Sequence, residues 1–146
     1  MPTIYAYTKF ITREVTRTLI VPDGSTELCT LDGVTYVCLP TGAVLPTTQP
    51  AEIKASITTP TITTALNDQI REASPHTKLI AQQVIDQIRA KYSVNDELYL
   101  ARIGIGASSG LYVPTASELQ ELKDFGVLAE SARQWGRDQR ALLGIS

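Results

Sequence analysis

Apolar and polar residues alternate over much of the first third of the chain and recur at helical spacing in its second half. Asp32-Gly33 is the pair that a type I′ turn demands, and a two-residue loop there sets Leu31 against Val34, Thr30 against Thr35 and Cys29 against Tyr36. On that register Cys29, Leu31, Val34, Tyr36 and Cys38 share one face, with Leu28, Thr30, Thr35, Val37 and Leu39 on the other. The apolar run on the first face marks it as the expected buried side. The second face also lacks charge, so it needs a cover of its own, which another subunit can supply.

Val21-Pro22-Asp23-Gly24-Ser25 places Pro and Gly where a turn needs them, which predicts a second hairpin at Asp23-Gly24. Thr12 to Thr18 carries Val15 as its one apolar side chain and reads as an edge or solvent-facing strand. The segment from 40 to 64 holds four of the eight prolines, and its Thr-rich end alternates Ile57 and Ile62 without a helical period. It reads as an extended connector.

After a weak helical patch from Ala65 to Ala73, Ser74 as N-cap and Pro75 at the first helical position open a stronger helix over 75–92. Ile80, Val84, Ile88 and Tyr92, flanked by Ala81 and Ile85, form one apolar stripe along it. Ser93 with Asp96 and Thr115 with Glu118 are capping signatures that restart helices near 94 and 116. The glycines from Gly104 to Gly110 read as a loop between them. Leu119, Leu122, Leu128, Ala132 and Trp135 carry an apolar side through the last helix, with a break or kink expected at Phe125-Gly126.

Composition sharpens this division, because sixteen of the eighteen Thr precede residue 65 and nineteen of the twenty-eight charged residues follow it. The expected class is α+β, a small N-terminal antiparallel β region (1–45) followed, after the connector (46–64), by a C-terminal helical region (65–146). A net charge of −2 gives no bulk basic field for a phosphate backbone, so general nucleic-acid binding is not expected. No run of apolar residues is long enough to span a bilayer, and the opening MPTIYAYTKF lacks the apolar stretch of a signal peptide. A soluble protein made in the cytoplasm, without membrane partners, is expected.

Little in the sequence points to catalysis. His76 is the single histidine and sits in the first turn of a helix, where the dipole disfavours its cation. Cys29 and Cys38 fall on one face as a diagonal pair about 7–8 Å apart, beyond ordinary bridging distance. Two reduced thiols are expected, although a bulge that shifted the register would reopen the question of a disulfide. Gly104-Ile105-Gly106-Ala107-Ser108-Ser109-Gly110 resembles a phosphate cradle only superficially, since it follows a helix and lacks the Lys-Ser/Thr pair. Arg133, Arg137 and Arg140 read as a solvated helix face, and Asp96, Glu97, Glu118, Glu121 and Asp124 complement helix dipoles. No catalytic residue, metal ligand or cofactor is assigned. The candidate interface is Ile80, Val84, Ile88, Tyr92 and Trp135.

The order of segments carries a resemblance. A Thr-rich β region containing Leu31-Asp32-Gly33-Val34-Thr35-Tyr36-Val37 precedes the extended run from Leu45 to Ile53. Ile88 to Glu97 and a closing Trp135-Gly136-Arg137 through Leu142-Leu143-Gly144-Ile145 follow. The chain resembles small virion proteins of tailed bacteriophages from the tail-fibre and baseplate region. The resemblance implies a non-enzymatic structural protein of the virion, made in the host cytoplasm and joined to other fibre or baseplate proteins. It also implies a homo-oligomer, most simply a trimer, or several copies on a fibre. A fibre-assembly chaperone, an enzyme and an unrelated binding module are the alternatives.

Overall fold

In the computed structural model, which describes residues 1–146, strands come first and helices follow. The strands are β1 (Thr3–Tyr7), β2 (Phe10–Ile11), β3 (Thr16–Arg17), β4 (Thr26–Leu31) and β5 (Val34–Leu39). The helices are α1 (Ala51–Lys54), α2 (Thr64–Ala73), α3 (Pro75–Arg89), α4 (Val94–Ser108) and α5 (Ala116–Leu142). The fold is α+β, as the composition indicated. Contacts divide the chain differently from the 1–45, 46–64 and 65–146 division: Met1–Ile80 with Asp138–Ser146 is one unit, and Ala81–Arg137 is the other. Composition missed this because α2, the start of α3 and the last residues of α5 all belong with the sheet rather than with the other helices.

In the first unit β5 is the central strand, antiparallel to β1 and β4. The turn at Asp32-Gly33 takes the conformation its residues favour, with φ of 49° and 81°. The expected pairs Leu31–Val34, Thr30–Thr35 and Cys29–Tyr36 all form. Beyond them the ladder shifts between Glu27 and Cys29, so Glu27 pairs with Val37 and Thr26 with Cys38. This bulge brings Leu28 into the cluster on the Cys38 face, not the opposite face expected from strict alternation.

Both faces of the sheet are covered by this chain. On one face Ile4, Leu28 and Cys38 pack with Ile70 of α2 and with Ile145. On the other, Tyr7, Val37 and Leu39 pack with Leu19 and Ile53, flanked by Ala43, Leu45 and Ile57. Of the five positions expected to be innermost only Cys38 is fully buried, whereas Thr35, Val37 and Leu39 on the second face all are. The reason is the Pro/Thr-rich segment, which folds back as the missing cover and removes any need for another subunit there. Within it α1 buries Ile53, Thr58 exchanges backbone hydrogen bonds of 2.9 and 2.8 Å with Ala6, and the Gln49 amide brackets the backbone of Ile20 with two bonds of 2.9 Å. The segment is therefore part of the core and not a free connector.

Two other expectations change. The Pro22–Ser25 turn forms, with Gly24 at φ 82°, but residues 18–21 do not pair with β4, so no hairpin arises at Asp23-Gly24. The second hairpin is instead β2–β3, closed by the Thr12 and Val15 backbones and exposed throughout. Ser74 does not cap α3 through its side chain: it ends α2, its hydroxyl is buried without a hydrogen-bond partner, and Thr77 donates to the Ser74 carbonyl at 2.9 Å.

The second unit holds the rest of α3, all of α4 and α5 as far as Arg137. Both capping boxes are complete. The Ser93 hydroxyl accepts from the Asp96 N–H at 3.0 Å while Asp96 accepts from the Ser93 N–H at 2.8 Å. Thr115 and Glu118 do the same at 3.1 and 3.0 Å. The glycine run is not a loop: Gly104 and Gly106 lie inside α4, and at Gly106 the returning chain approaches too closely for a side chain. A Cβ on Gly104 would meet Leu122 in ordinary contact at 3.7 Å, whereas one on Gly106 would clash with the Tyr112 Cβ at 2.9 Å. The helix ends at Gly110, whose φ of 74° lets the Leu111 N–H reach the Gly106 carbonyl at 3.0 Å. α5 runs unbroken through Phe125-Gly126.

Candidate functional site

The residues expected to form an interface are partly covered by their own chain. Ile80 is buried in the first unit, whereas Val84, Ile88, Tyr92 and Trp135 are half-buried. Tyr92 spends its ring on Phe125. Along the α3 stripe itself Ile80 is the buried position, and Ile85 beside it is 48% exposed.

The exposed apolar surface lies on α4. Successive residues of a helix turn by about 100°, so Val94, Leu98, Ala101 and Ile105 fall in one line. That line is open, with Val94 and Leu98 each 55% exposed and Ile105 67%. Leu100 and Ile103, turned the other way, are buried. α4 is thus apolar on two faces and covered on one. Sequence reading missed this stripe because the Gly104–Gly110 run hid the second half of the helix, although a helix apolar on two faces is itself the signal that a second cover is wanted.

Beside the stripe, Glu118 gathers donors. Its carboxylate accepts the Tyr112 hydroxyl at 2.7 and 3.0 Å, the Tyr99 hydroxyl at 3.4 Å and the Thr115 N–H at 3.0 Å. The Thr115 N–H, followed by the Tyr112 hydroxyl, holds the Glu118 carboxyl below its usual range. Donation to Glu118 raises the Tyr112 phenol, and desolvation, followed by the Glu118 charge, raises that of Tyr99. The cluster is an anchor that ties the start of α5 to α4.

Elsewhere the side chains have structural partners. Cys29 and Cys38 are free thiols even with the bulge between Glu27 and Cys29, and burial pushes both upward, away from the reactive thiolate. Arg137 is held by Glu130 and Gln134 on its own helix. Arg140 departs from the solvated face expected of it, because it is half-buried with its Nε out of water. His76 is exposed at the start of α3. Nowhere do three or more His, Cys, Asp or Glu side chains come together in a way that could hold a metal ion. No helix is long and apolar enough to cross a membrane. Comparison with protein-family models, curated proteins and solved structures gives no match to this chain.

Proposed function

We propose that this chain is a non-enzymatic structural component of a bacteriophage particle, a tail-fibre or baseplate adaptor that works through protein–protein contacts. The observation that carries the contact role is the open apolar line Val94, Leu98, Ala101 and Ile105 on a helix whose opposite face is already packed. Apolar surface aligned in this way is stabilised by removal from water, at about 25 cal/mol per Å². A stable partnership needs about 1,000 Å² of complementary surface in total, which exposed Tyr99, Leu111 and Val113 in the same unit help to provide. The virion setting rests on the resemblance in segment order, and the partners it implies are other fibre or baseplate proteins, with further copies of this chain.

Mass spectrometry of purified particles of the encoding phage, together with light scattering of the isolated protein, tests this reading. The chain is expected in the particle at stoichiometric yield, and Leu98→Glu or Ile105→Glu is expected to reduce its incorporation without unfolding it. A chain abundant in infected cells and absent from finished particles would instead be an assembly chaperone.

A further inference from the structure

The outer edge of β4 has no strand neighbour, since β5 is its one ladder partner. Leu31 and Val34 flank the two-residue turn as the hydrogen-bonded pair, and alternation then turns the N–H and C=O of Thr30 away from β5. An edge of this kind is a template for another strand unless Lys, Pro or a bulge blunts it. β4 contains neither Lys nor Pro, its one charge, Glu27, is engaged by Lys9 at 2.6 Å, and its bulge lies before Cys29, clear of Thr30.

A trough of about 400 Å³ runs along this edge, walled on its far side by Pro75 and His76 in the first turn of α3. Thr26 and His76 also line a second, larger space, a cleft of about 580 Å³ whose apolar wall is Leu79, Ile80, Leu142 and Leu143. An unpaired strand edge thus leads directly into an apolar cleft, all within the first unit. Leu79 and Leu142 stand 56% and 67% exposed there.

We infer that this trough and cleft together bind a short extended peptide segment of another protein. The segment adds a strand beside β4 through main-chain hydrogen bonds at Thr30 and seats one large apolar side chain among Leu79, Ile80, Leu142 and Leu143. Main-chain pairing supplies affinity and the side-chain cleft supplies selection, the division of labour seen wherever a peptide extends a sheet. The cleft volume lies within the usual range for ligand sites. The occupant is uncharged where it lies in the groove, because Glu27 is the sole charged residue along it and is already paired. It comes from another protein because the long extended segments of this chain are occupied: β1 is bridged by Thr58, and the stretch containing Ala43, Leu45 and Ile57 covers the second sheet face. The inference is independent of the particle assignment and of the α4 surface.

Panning a yeast-displayed library of short random peptides on the whole protein, followed by anisotropy of the enriched peptide carrying a fluorophore, tests it. Enriched sequences are expected to be extended and uncharged with a recurring large apolar residue, and binding should slow hydrogen exchange of the Thr30 amide. Leu79→Glu, at an exposed helical position, should weaken binding by about tenfold or more. Thr30→Pro should do the same, since Pro is tolerated on an edge strand where its missing N–H faces outward. If Thr30→Pro does not fold by circular dichroism, Leu79→Glu and the Thr30 exchange rate decide. The inference is overturned if no peptide is enriched, if the enriched peptide binds Leu79→Glu as tightly as the parent, if Thr30 exchange is unchanged, or if β4 pairs with β4 of a second copy.

Discussion

Tyr92 meets Phe125 edge-on, with ring centroids 5.0 Å apart and ring planes at 85°. The pair joins the turn after α3 to the middle of α5, so Tyr92→Ala should lower stability by about 2 kcal/mol, combining lost burial with the lost ring contact. Urea unfolding checks this. The double variant with Phe125→Ala should cost less than the two single changes added together. A variant of unchanged stability but altered oligomeric state would return Tyr92 to the interface.

Gly106 and Gly126 both lie within helices, and replacement by Ala should move stability in opposite directions. Ala favours a helix interior over Gly by up to about 1 kcal/mol. At Gly126 a new Cβ meets nothing within 4 Å, so Gly126→Ala should raise the melting temperature. At Gly106 it would lie 2.9 Å from the Tyr112 Cβ, so Gly106→Ala should lower the melting temperature and loosen Tyr112 from Glu118. Thermal melts of the two variants decide the signs.

Ile53 is fully buried beneath Tyr7, Val37 and Leu39. Ile53→Ala should cost about 2–4 kcal/mol, as for other buried aliphatic truncations, and deletion of residues 46–60 should unfold the sheet. Chemical denaturation followed by tyrosine fluorescence measures both. A free arm would leave stability untouched, and such a result would contradict the packing over the second face.

Glu118 and Asp96 both have carboxyls held below their ordinary values of 4.5 and 3.8 by backbone N–H groups at helix starts. A depressed folded value means that the stabilisation is fully present above the unfolded value and is lost as pH falls through the folded one. The melting temperature should therefore hold from neutral pH down to about 5 and fall below that. Glu118→Gln should lower it at neutral pH and flatten the acid slope. A slope unchanged in that variant would show that the contacts of Glu118 do not contribute.

The parts of this fold that were legible in the sequence are those whose cause is local. Asp32-Gly33 sets its own turn and the first three pairs of the ladder, and Ser93–Asp96 and Thr115–Glu118 satisfy each other within one helical turn. What escaped is set by distant partners. The bulge before Cys29 moves Leu28 to the other face. Gln49 finds Ile20 across 29 positions, and Tyr112 returns so close to Gly106 that no side chain fits there. β1 was missed because its apolar residues serve both faces, Ile4 one and Tyr5 and Tyr7 the other, leaving no one-sided pattern to read. The candidate surface was read from clean alignment alone: of Ile80, Val84, Ile88 and Tyr92, Ile80 is buried and the others are half-buried. The more open line on α4 was masked by a second apolar face and by glycines.

Ile145 is buried on the same sheet face as Ile4, and Asn67 holds the Ser146 backbone with bonds of 3.0 and 3.3 Å. The strand β1 and the residues after α5 thus complete one another. Closing this sheet face needs contacts between residues far apart in sequence, whereas residues 81–137 make their contacts over shorter separations. Contacts of short separation form sooner, so the helices of 81–137 are expected to settle before the sheet is sealed.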